Sequence, residues 1–240
     1  MKSVILALQF MTRLPFPQVA ATQDDFGNAI RWFPLAGVVV GIAVAAALWI
    51  GTRQDPALGA WLGLVTWVAL TGALHLDGLG DIADAAGAAH ADRARLSAVL
   101  ADPHLGSFGV TAIALQLLAK FITLSLIARS GAPTVLASLA IVPVLARIGP
   151  LVWARLLPPL HEGFGTLFRK GANMPVLVAW LAVWSLGAAF CVPLLLSAAV
   201  AIPLWALWLR SRIGGISGDG HGAGIELVET AALLALVLAR

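Results

Sequence analysis

Long apolar stretches recur along this sequence, and they constrain its fold more than any other feature. Residues 34–52, 57–76, 105–127 and 174–192 each match the ~20 residues that a helix needs to cross a bilayer. Only 11% of the 240 residues are charged, against about 25% in soluble domains. Because backbone polar groups inside lipid must be satisfied within the segment, these stretches predict membrane-spanning α-helices.

Three further apolar segments complete the predicted fold. One runs from about 133 to 157, and another covers 223–238. The third, 196–209, contains Pro203 and is either a span of its own or part of a broken hairpin with 174–192. We therefore predict an all-α, polytopic membrane helix bundle of about six to seven transmembrane helices, built as a single domain over residues 1–240.

The first residues predict a helix on the membrane surface. Lys2 precedes a short apolar segment, which resembles a signal peptide with small residues at 19–21 as its cleavage site. Arg13, Pro15 and Pro17 interrupt that arrangement. We therefore expect a retained, amphipathic N-terminal helix that lies on the bilayer.

The basic residues predict an orientation. With a cytoplasmic N-terminus and seven spans, ten of the fifteen Lys and Arg residues are cytoplasmic, three lie opposite, and Lys120 and Arg147 lie within spans. The net charge of +3 therefore reflects the positive-inside rule and does not indicate a nucleic-acid partner. Cys191 is the only cysteine, which excludes a disulfide within the chain and a zinc site built on cysteines.

An acidic stripe follows the second apolar run. Asp77, Asp81 and Asp84, in the segment HLDGLGDIAD, are spaced i, i+4 and i+7, which places them on one face of a helix. Such like charges repel unless a divalent cation or a cationic substrate compensates them. The alternative is a solvent-exposed helix N-terminus, where the helix dipole stabilises the carboxylates. We predict a site for a hard cation such as Mg²⁺, with Gly78 and Gly80 leaving room for a phosphorylated substrate.

Two basic residues lie inside predicted spans. Lys120 and Arg147 are too central to reach the membrane surface, and charges at this depth are costly without a partner or a function. They could contact substrate phosphates, or they could pair with Glu226 and Glu229, which lie one helical turn apart in the last apolar segment. The two glutamates could instead add metal ligands or bind a nucleoside.

Two polar turns are further candidates. Residues 214–229, GGISGDGHGAGIELVE, either wrap an anion with backbone amides or form a flexible interhelical loop, and they lack the Gly-Lys-Ser/Thr of a Walker loop. Residues 101–109, ADPHLGSFG, are either a turn with Asp102 as a helix N-cap or a segment that brings Asp102 or His104 to a substrate. The histidines have no spacing typical of a zinc site.

Together these segments resemble one known family. TRLPFP (12–17), FPLAGVVVG (33–41), HLDGLGDIADA (75–85), LGSFG (105–109), Arg147 and GDGHGAGIELVE (218–229) are similar, in order and spacing, to adenosylcobinamide-GDP ribazoletransferase, the cobalamin synthase of corrinoid assembly. The most specific segment is HLDGLGDIAD. The sequence departs from the family's pattern at four positions, Ala85, Ser107, Phe108 and His221. These departures concern individual substrate contacts and leave the acidic stripe unchanged.

The resemblance implies a multi-pass enzyme of the bacterial inner (plasma) membrane whose site faces the cytoplasm. Its substrates would be adenosylcobinamide-GDP and α-ribazole or α-ribazole 5′-phosphate, its cofactor Mg²⁺, and its partners a second copy or other corrinoid-assembly enzymes. Asp77, Asp81 and Asp84 would bind metal or orient the attacking hydroxyl, and His75 or His104 would take the proton. The implied substrate-binding residues are Arg13, Asp102, Gly106, Lys120, Arg147, Gly218 and Asp219, with Glu226 and Glu229 as further metal ligands.

Two other classes compete with this interpretation. CDP-alcohol phosphatidyltransferases also use an Asp cluster at the membrane surface, but their D-G-x-x-A-R stretch followed by a spaced D-x-x-x-D is absent here. A cation-coupled transporter would hold its ion near the bilayer midplane. The acidic stripe instead begins a polar segment, 77–104, at the end of a predicted span.

Overall fold

A computed structural model describes residues 1–88, 104–160 and 164–239, and nearly all of this part is helical. An isolated bridge between Pro159 and Ile216 is the only extended pairing within those ranges. A 3₁₀ turn, Ile30–Trp32, leads into α3, and a 3₁₀ segment, Pro193–Val200, precedes α11. The α-helices are α1 (Lys2–Met11), α2 (Gln23–Ala29), α3 (Phe33–Thr52), α4 (Pro56–Thr71), α5 (Leu74–Ala88), α6 (Ser107–Ser130), α7 (Pro133–Leu139), α8 (Val142–Leu156), α9 (Phe164–Gly171), α10 (Met174–Cys191), α11 (Ala201–Arg212) and α12 (Gly218–Leu238).

The predicted membrane bundle is confirmed. Within the described ranges, six helical stretches are long and apolar enough to span a bilayer, and α4 with α5 forms a bent pair that passes the same test. The segment 196–209 lies in a candidate span of its own, separate from α10, so the two are not halves of one span. The six stretches are Gln23–Thr52, Ser107–Ser130, Pro133–Leu156, Met174–Cys191, Pro193–Arg212 and Gly218–Leu238.

Glycines set the contact between α3 and α8. A β-carbon on Gly37 would lie 2.8 Å from the Val144 Cα, and one on Gly41 would overlap the backbone of Ala140. The G-x-x-x-G pair therefore lets the two backbones touch, which is how small residues promote helix association in lipid. Its role is in the scaffold and not in the chemistry.

The second predicted span ends earlier than its hydropathy indicates. α4 stops at Thr71, because Gly72 and Ala73 both have positive φ angles, +61° and +58°. The chain then turns by 83° into α5. The predicted end of the second span at Leu76 is therefore wrong by about one helical turn. The acidic stripe lies on a separate helix, α5, which runs at an angle to the span.

The last helix, α12, forms the centre of the bundle. It packs against α5, α6, α8 and the 3₁₀ segment before α11. Its N-terminal turn is fixed by Ser217, whose hydroxyl accepts a hydrogen bond from the Gly220 amide at 3.0 Å. Residues 218–229, which are most of the glycine-rich segment, therefore form the first turns of a helix and not a flexible loop.

The N-terminal helix belongs to the folded unit. α1 buries Leu6, Ala7 and Met11 and packs against α2 and α3. Its Phe10 ring meets Phe168 of α9 edge to face, with ring centroids 5.7 Å apart. The predicted N-terminal helix is therefore present, and its Phe10 and Met11 line a cavity together with residues of α5 and α12. Its position on the bilayer surface stays a prediction.

Candidate active site

The acidic helix α5 lies with its backbone directly against the start of α12. A β-carbon on Gly78 would lie 2.9 Å from both the Cα and the carbonyl oxygen of Asp219, and one on Gly222 would lie 3.2 Å from the His75 Cα. Asp77 is exposed and Asp81 is half-buried. The contact therefore brings Asp219, from the glycine-rich segment, to the acidic stripe.

Crowding of like charges is evident at Asp81, which lies on α5 outside the six candidate spans. Partial burial and the nearby carboxylates of Asp219, Asp77 and Asp84, in that order, raise the pKa of Asp81 to about 6. Within the described residues, no Lys or Arg side chain forms an ion pair with Asp77 or Asp81. Uncompensated negative charge of this kind favours a bound cation.

Asp84 has a different environment from the other two aspartates. Its Oδ2 accepts a hydrogen bond from the Gly106 amide at 2.7 Å, and its Oδ1 accepts one from the Gly109 amide at 2.9 Å. Asp84 thus caps the N-terminus of α6, where these amides otherwise have no partner. The geometry favours a structural role, and the predicted roles of Asp84 as ligand and of Gly106 as substrate contact stay predictions without support from it.

Replacing Asp84 separates these two roles. Asp84→Ala removes both acceptors and should lower the free energy of unfolding by about 1–2 kcal/mol, as for other lost helix caps. Asp84→Asn keeps one acceptor oxygen and should cost about half as much. Chemical unfolding in mixed micelles measures both. If Asp84→Asn left stability unchanged but strongly raised the Mg²⁺ concentration required for activity, the capping assignment would be wrong.

The intramembrane charges form a buried network. Lys120 Nζ lies 2.7 Å from Glu226 Oε2 and 2.5 Å from Glu229 Oε2, and Arg147 pairs with the other oxygen of Glu229. Gln116 donates to the Glu226 carboxylate at 2.8 Å. Two positive and two negative charges balance, as burial in lipid requires.

This network answers the alternatives that the sequence leaves open. The four charged side chains are at most 3% exposed, so the structure realises the pairing of Lys120 and Arg147 with Glu226 and Glu229. Contacts of the two basic residues with substrate, and metal binding by the two glutamates, stay predictions that this geometry does not favour. Lys120 and Arg147 already neutralise the carboxylates of Glu226 and Glu229, so these carboxylates would not bind a permeating ion.

A cavity opens beside Asp77 and Asp219. It has a volume of about 200 Å³. Three phenylalanine rings, from α1, α3 and α9, line it, and they pack against one another with centroids 5.4–6.4 Å apart. No local motif could reveal this wall, because its members come from distant elements; they are Phe10, Phe33 and Phe168.

Two histidines line the same cavity. His75 is 3% exposed and His221 is 8% exposed. The Nε2 of His75 and both ring nitrogens of His221 are buried without a hydrogen-bond partner within the protein. Neutral imidazole offers one donor and one acceptor, so these buried nitrogens have hydrogen-bonding capacity that no group of the protein uses.

The remaining predicted residues are scattered. His104 is exposed just before α6. The Arg13 amide donates to the Leu70 carbonyl at 2.7 Å, and its side chain lies against the turn at Gly72. A β-carbon on Gly218 would meet nothing within 4 Å, so this glycine borders open space. Asp102 lies outside the described residues.

The donor set at the stripe suits a hard cation only in part. Among the described residues, no three His, Cys, Asp or Glu side chains are arranged as a complete metal site. Mg²⁺ differs from other metals because it retains waters and uses one or two carboxylates together with substrate phosphates. Asp77 and Asp81, with Asp219 across the contact, fit this mode. Each oxygen of Asp84 already accepts one amide hydrogen bond, so Asp84 has less capacity left for a cation than the other two aspartates of the stripe.

The close contact at Gly78 has a measurable consequence. Gly78→Ala adds a β-carbon 2.9 Å from the Asp219 backbone, which must force α5 and α12 apart. We expect a loss of about 1–3 kcal/mol in stability, together with reduced turnover. The matched control is Gly187→Ala, whose β-carbon would lie 3.7 Å from Ile141 Cδ1 and should cost nothing. Equal behaviour of both variants in unfolding and turnover assays would contradict the contact.

Comparisons with known proteins agree with this geometry. A family described as cobalamin-5-phosphate synthase matches residues 3–237. The chain is 51% identical to adenosylcobinamide-GDP ribazoletransferase of Novosphingobium aromaticivorans, with 99% of this chain and 97% of the relative covered. It is 45% identical to the protein of that name from Thiobacillus denitrificans, covering 100% and 98%, and 31% identical to that of Brevibacillus brevis, covering 99% and 98%.

No solved structure matches the chain. The resemblance that the sequence motifs indicate is nevertheless confirmed over nearly the full length, both by the family match and by relatives well above 30% identity. The chain belongs to the cobalamin-5-phosphate synthase family of transferases, and its apolar helices are those of a membrane protein.

Proposed function

We propose that this protein is an adenosylcobinamide-GDP ribazoletransferase that works at the junction of α5 and α12. The observation that carries the proposal is the backbone contact between Gly78 and Asp219. It brings Asp219 to the helix of Asp77 and Asp81, and Asp77 and Asp219 line a cavity there. The names of the relatives supply the substrates, a GDP-activated cobinamide and a ribazole.

The proposed reaction is a phosphoryl transfer. A ribose hydroxyl of α-ribazole, or of its 5′-phosphate, attacks the phosphorus on the cobinamide side of the diphosphate. The bond to the GMP oxygen breaks, GMP leaves, and the hydroxyl gives up its proton. The products are adenosylcobalamin, or its 5′-phosphate, and GMP. His75 lines the cavity, whereas His104 is exposed, so of the two predicted proton acceptors His75 has the better position.

Mg²⁺ is the proposed cofactor, and Asp77 and Asp81, with Asp219, would hold it. When bound, the metal would neutralise charge on the diphosphate and on the departing GMP. The protein itself contributes the first turn of α12, which begins at Gly218 next to open space. The helix dipole at such a terminus favours a phosphate group.

The proposed location is the bacterial inner membrane, with the site facing the cytoplasm. The positive-inside distribution of Lys and Arg supports this orientation. Arg210 and Arg212 end α11, and Arg155 ends α8 close to α9. These basic residues belong to the connections that the orientation assigns to the cytoplasm. Association with a second copy or with other enzymes of corrinoid assembly stays a prediction.

An assay with defined substrates tests the proposed function. The purified protein in liposomes, given adenosylcobinamide-GDP, α-ribazole and Mg²⁺, should release GMP and form adenosylcobalamin, both measured by chromatography. Omission of α-ribazole or of Mg²⁺ should abolish both products. Active corrinoid substrate with no GMP release would refute the proposal.

A further inference from the structure

The phenylalanine-lined cavity beside α5 and α12 has the features of a site for a flat, largely apolar ring. We call it the Phe cavity and define it by Phe10, Phe33, Phe168, His75 and His221. Its volume is about 200 Å³, and a cavity of about 150 Å³ with similar walls holds benzene. A ring system somewhat larger than benzene therefore matches its size.

The buried imidazole of His221 provides this cavity with a polar group for ligand recognition. One side of the ring lies near Trp153, with centroids 6.0 Å apart, and both ring nitrogens lack a partner within the protein. Burial of a hydrogen-bond donor without a partner costs free energy, and a hydrogen bond to an acceptor on a ligand would offset that cost. The carboxylates of Asp77 and Asp219 border the same cavity.

We infer that the Phe cavity binds the benzimidazole ring of the ribazole substrate, with His221 donating a hydrogen bond to its free ring nitrogen. The inference rests on the proposed function. The base of ribazole is flat and apolar, and glycosylation of one nitrogen leaves a single acceptor. Guanine, on the other substrate, has several donors and acceptors along its edge that the phenylalanine rings cannot pair. The carboxylates that could pair with its N–H groups, Asp77 and Asp219, are the proposed metal ligands.

This placement also orients the acceptor substrate. With its base in the cavity, the attached ribose lies at the rim, where Asp77, Asp219 and the first turn of α12 meet. The attacking hydroxyl is thereby held next to the proposed diphosphate site. The aromatic rings on one side then recognise the base. On the other side, the proposed metal-binding carboxylates and the N-terminus of α12 recognise the phosphates.

Steady-state kinetics with a substrate analogue tests the inference. In indole riboside, a C–H replaces the free ring nitrogen of a benzimidazole riboside. The wild-type protein should show a KM for benzimidazole riboside about tenfold lower than for indole riboside, the value of one hydrogen bond. His221→Leu should raise the KM for benzimidazole riboside about tenfold and abolish the discrimination. The KM for adenosylcobinamide-GDP should stay unchanged.

The phenylalanine wall provides an independent variant. Phe168→Leu should raise the KM for α-ribazole without changing the KM for adenosylcobinamide-GDP. Its matched control is Phe190→Leu, at an 89% exposed position on the lipid side of α10, which should change neither constant. A selective rise in the KM for adenosylcobinamide-GDP would place guanine in the cavity and overturn the inference. Equal affinity of the wild type for the two ribosides would also overturn it.

Equilibrium binding separates this inference from the proposed function. α-Ribazole alone, titrated into the purified wild-type protein, should bind with an affinity that His221→Leu weakens about tenfold. Absence of transfer activity together with this binding would refute only the function. Transfer activity with equal α-ribazole binding by wild type and His221→Leu would refute only the assignment of the cavity.

Discussion

Asp77→Asn should lower the turnover of the reconstituted protein by at least about 10²–10³-fold, the usual cost of losing one electrostatic stabiliser of a transition state. The side chain is exposed beside Asp81 and Asp219, and no Lys or Arg in the described ranges pairs with it. Loss of the carboxylate therefore removes a group available to a cation without breaking an internal contact. The free energy of unfolding should stay within about 0.5 kcal/mol of the wild-type value.

The matched control for this variant is Asp24→Asn. Asp24 is an exposed aspartate in the first turn of α2, far from the stripe in sequence. It has the same change in net charge and should retain full turnover. Initial rates of GMP release and chemical unfolding in mixed micelles measure both variants. Near wild-type turnover of Asp77→Asn would show that the stripe has no role in the chemistry.

Lys120→Met should lower the free energy of unfolding by about 3–5 kcal/mol, because it leaves buried carboxylates without their cation. Lys120 and Glu226 are each about 3% exposed, and the ammonium also lies 4.4 Å from the centre of the Trp67 ring. Adding Glu226→Gln removes the uncompensated charge and keeps a group that Gln116 can bond. The double variant should therefore recover more than half of the lost stability.

Comparison of the single and the double variant also decides whether Lys120 pairs with the glutamates or contacts a substrate phosphate. If Lys120 only pairs with the glutamates, the double variant should retain its turnover per folded molecule. Arg129→Met, at an exposed position in the last turn of α6, is the control and should cost less than about 0.5 kcal/mol. A double variant that is as unstable as Lys120→Met would contradict the charge-balance account. One that is stable but inactive would place Lys120 at the substrate.

Much of the fold follows from the sequence because lipid leaves the backbone few alternatives. The spans and the N-terminal helix are visible as local patterns. The 83° turn at Gly72 is not visible, because the apolar run continues through it to Leu76. Hydropathy measures where a segment prefers to lie and not where its backbone changes direction.

The candidate site was predictable only where its members are neighbours along one helix. The spacing of Asp77 and Asp81 predicts a shared face, but the same spacing cannot show that Asp84 turns to the amides of α6. Likewise, the sequence leaves two alternatives open for Lys120 and Arg147, pairing with Glu226 and Glu229 or contact with substrate. Only the packing of α6 and α8 against α12 shows that the pairs form. The phenylalanine wall has no sequence signal, because tertiary packing alone assembles it.

One measurement tests the central claim most directly: the stoichiometry of products in a single turnover by the liposome-reconstituted protein. With adenosylcobinamide-GDP, α-ribazole and Mg²⁺, the wild type should form GMP and adenosylcobalamin in a one-to-one ratio. At the time when the wild type completes this turnover, Asp77→Asn at the same protein concentration should have formed at most about one hundredth of either product. Equal yields from both proteins would show that the transfer takes place without the acidic stripe, and absence of both products from the wild type would contradict the proposed reaction itself.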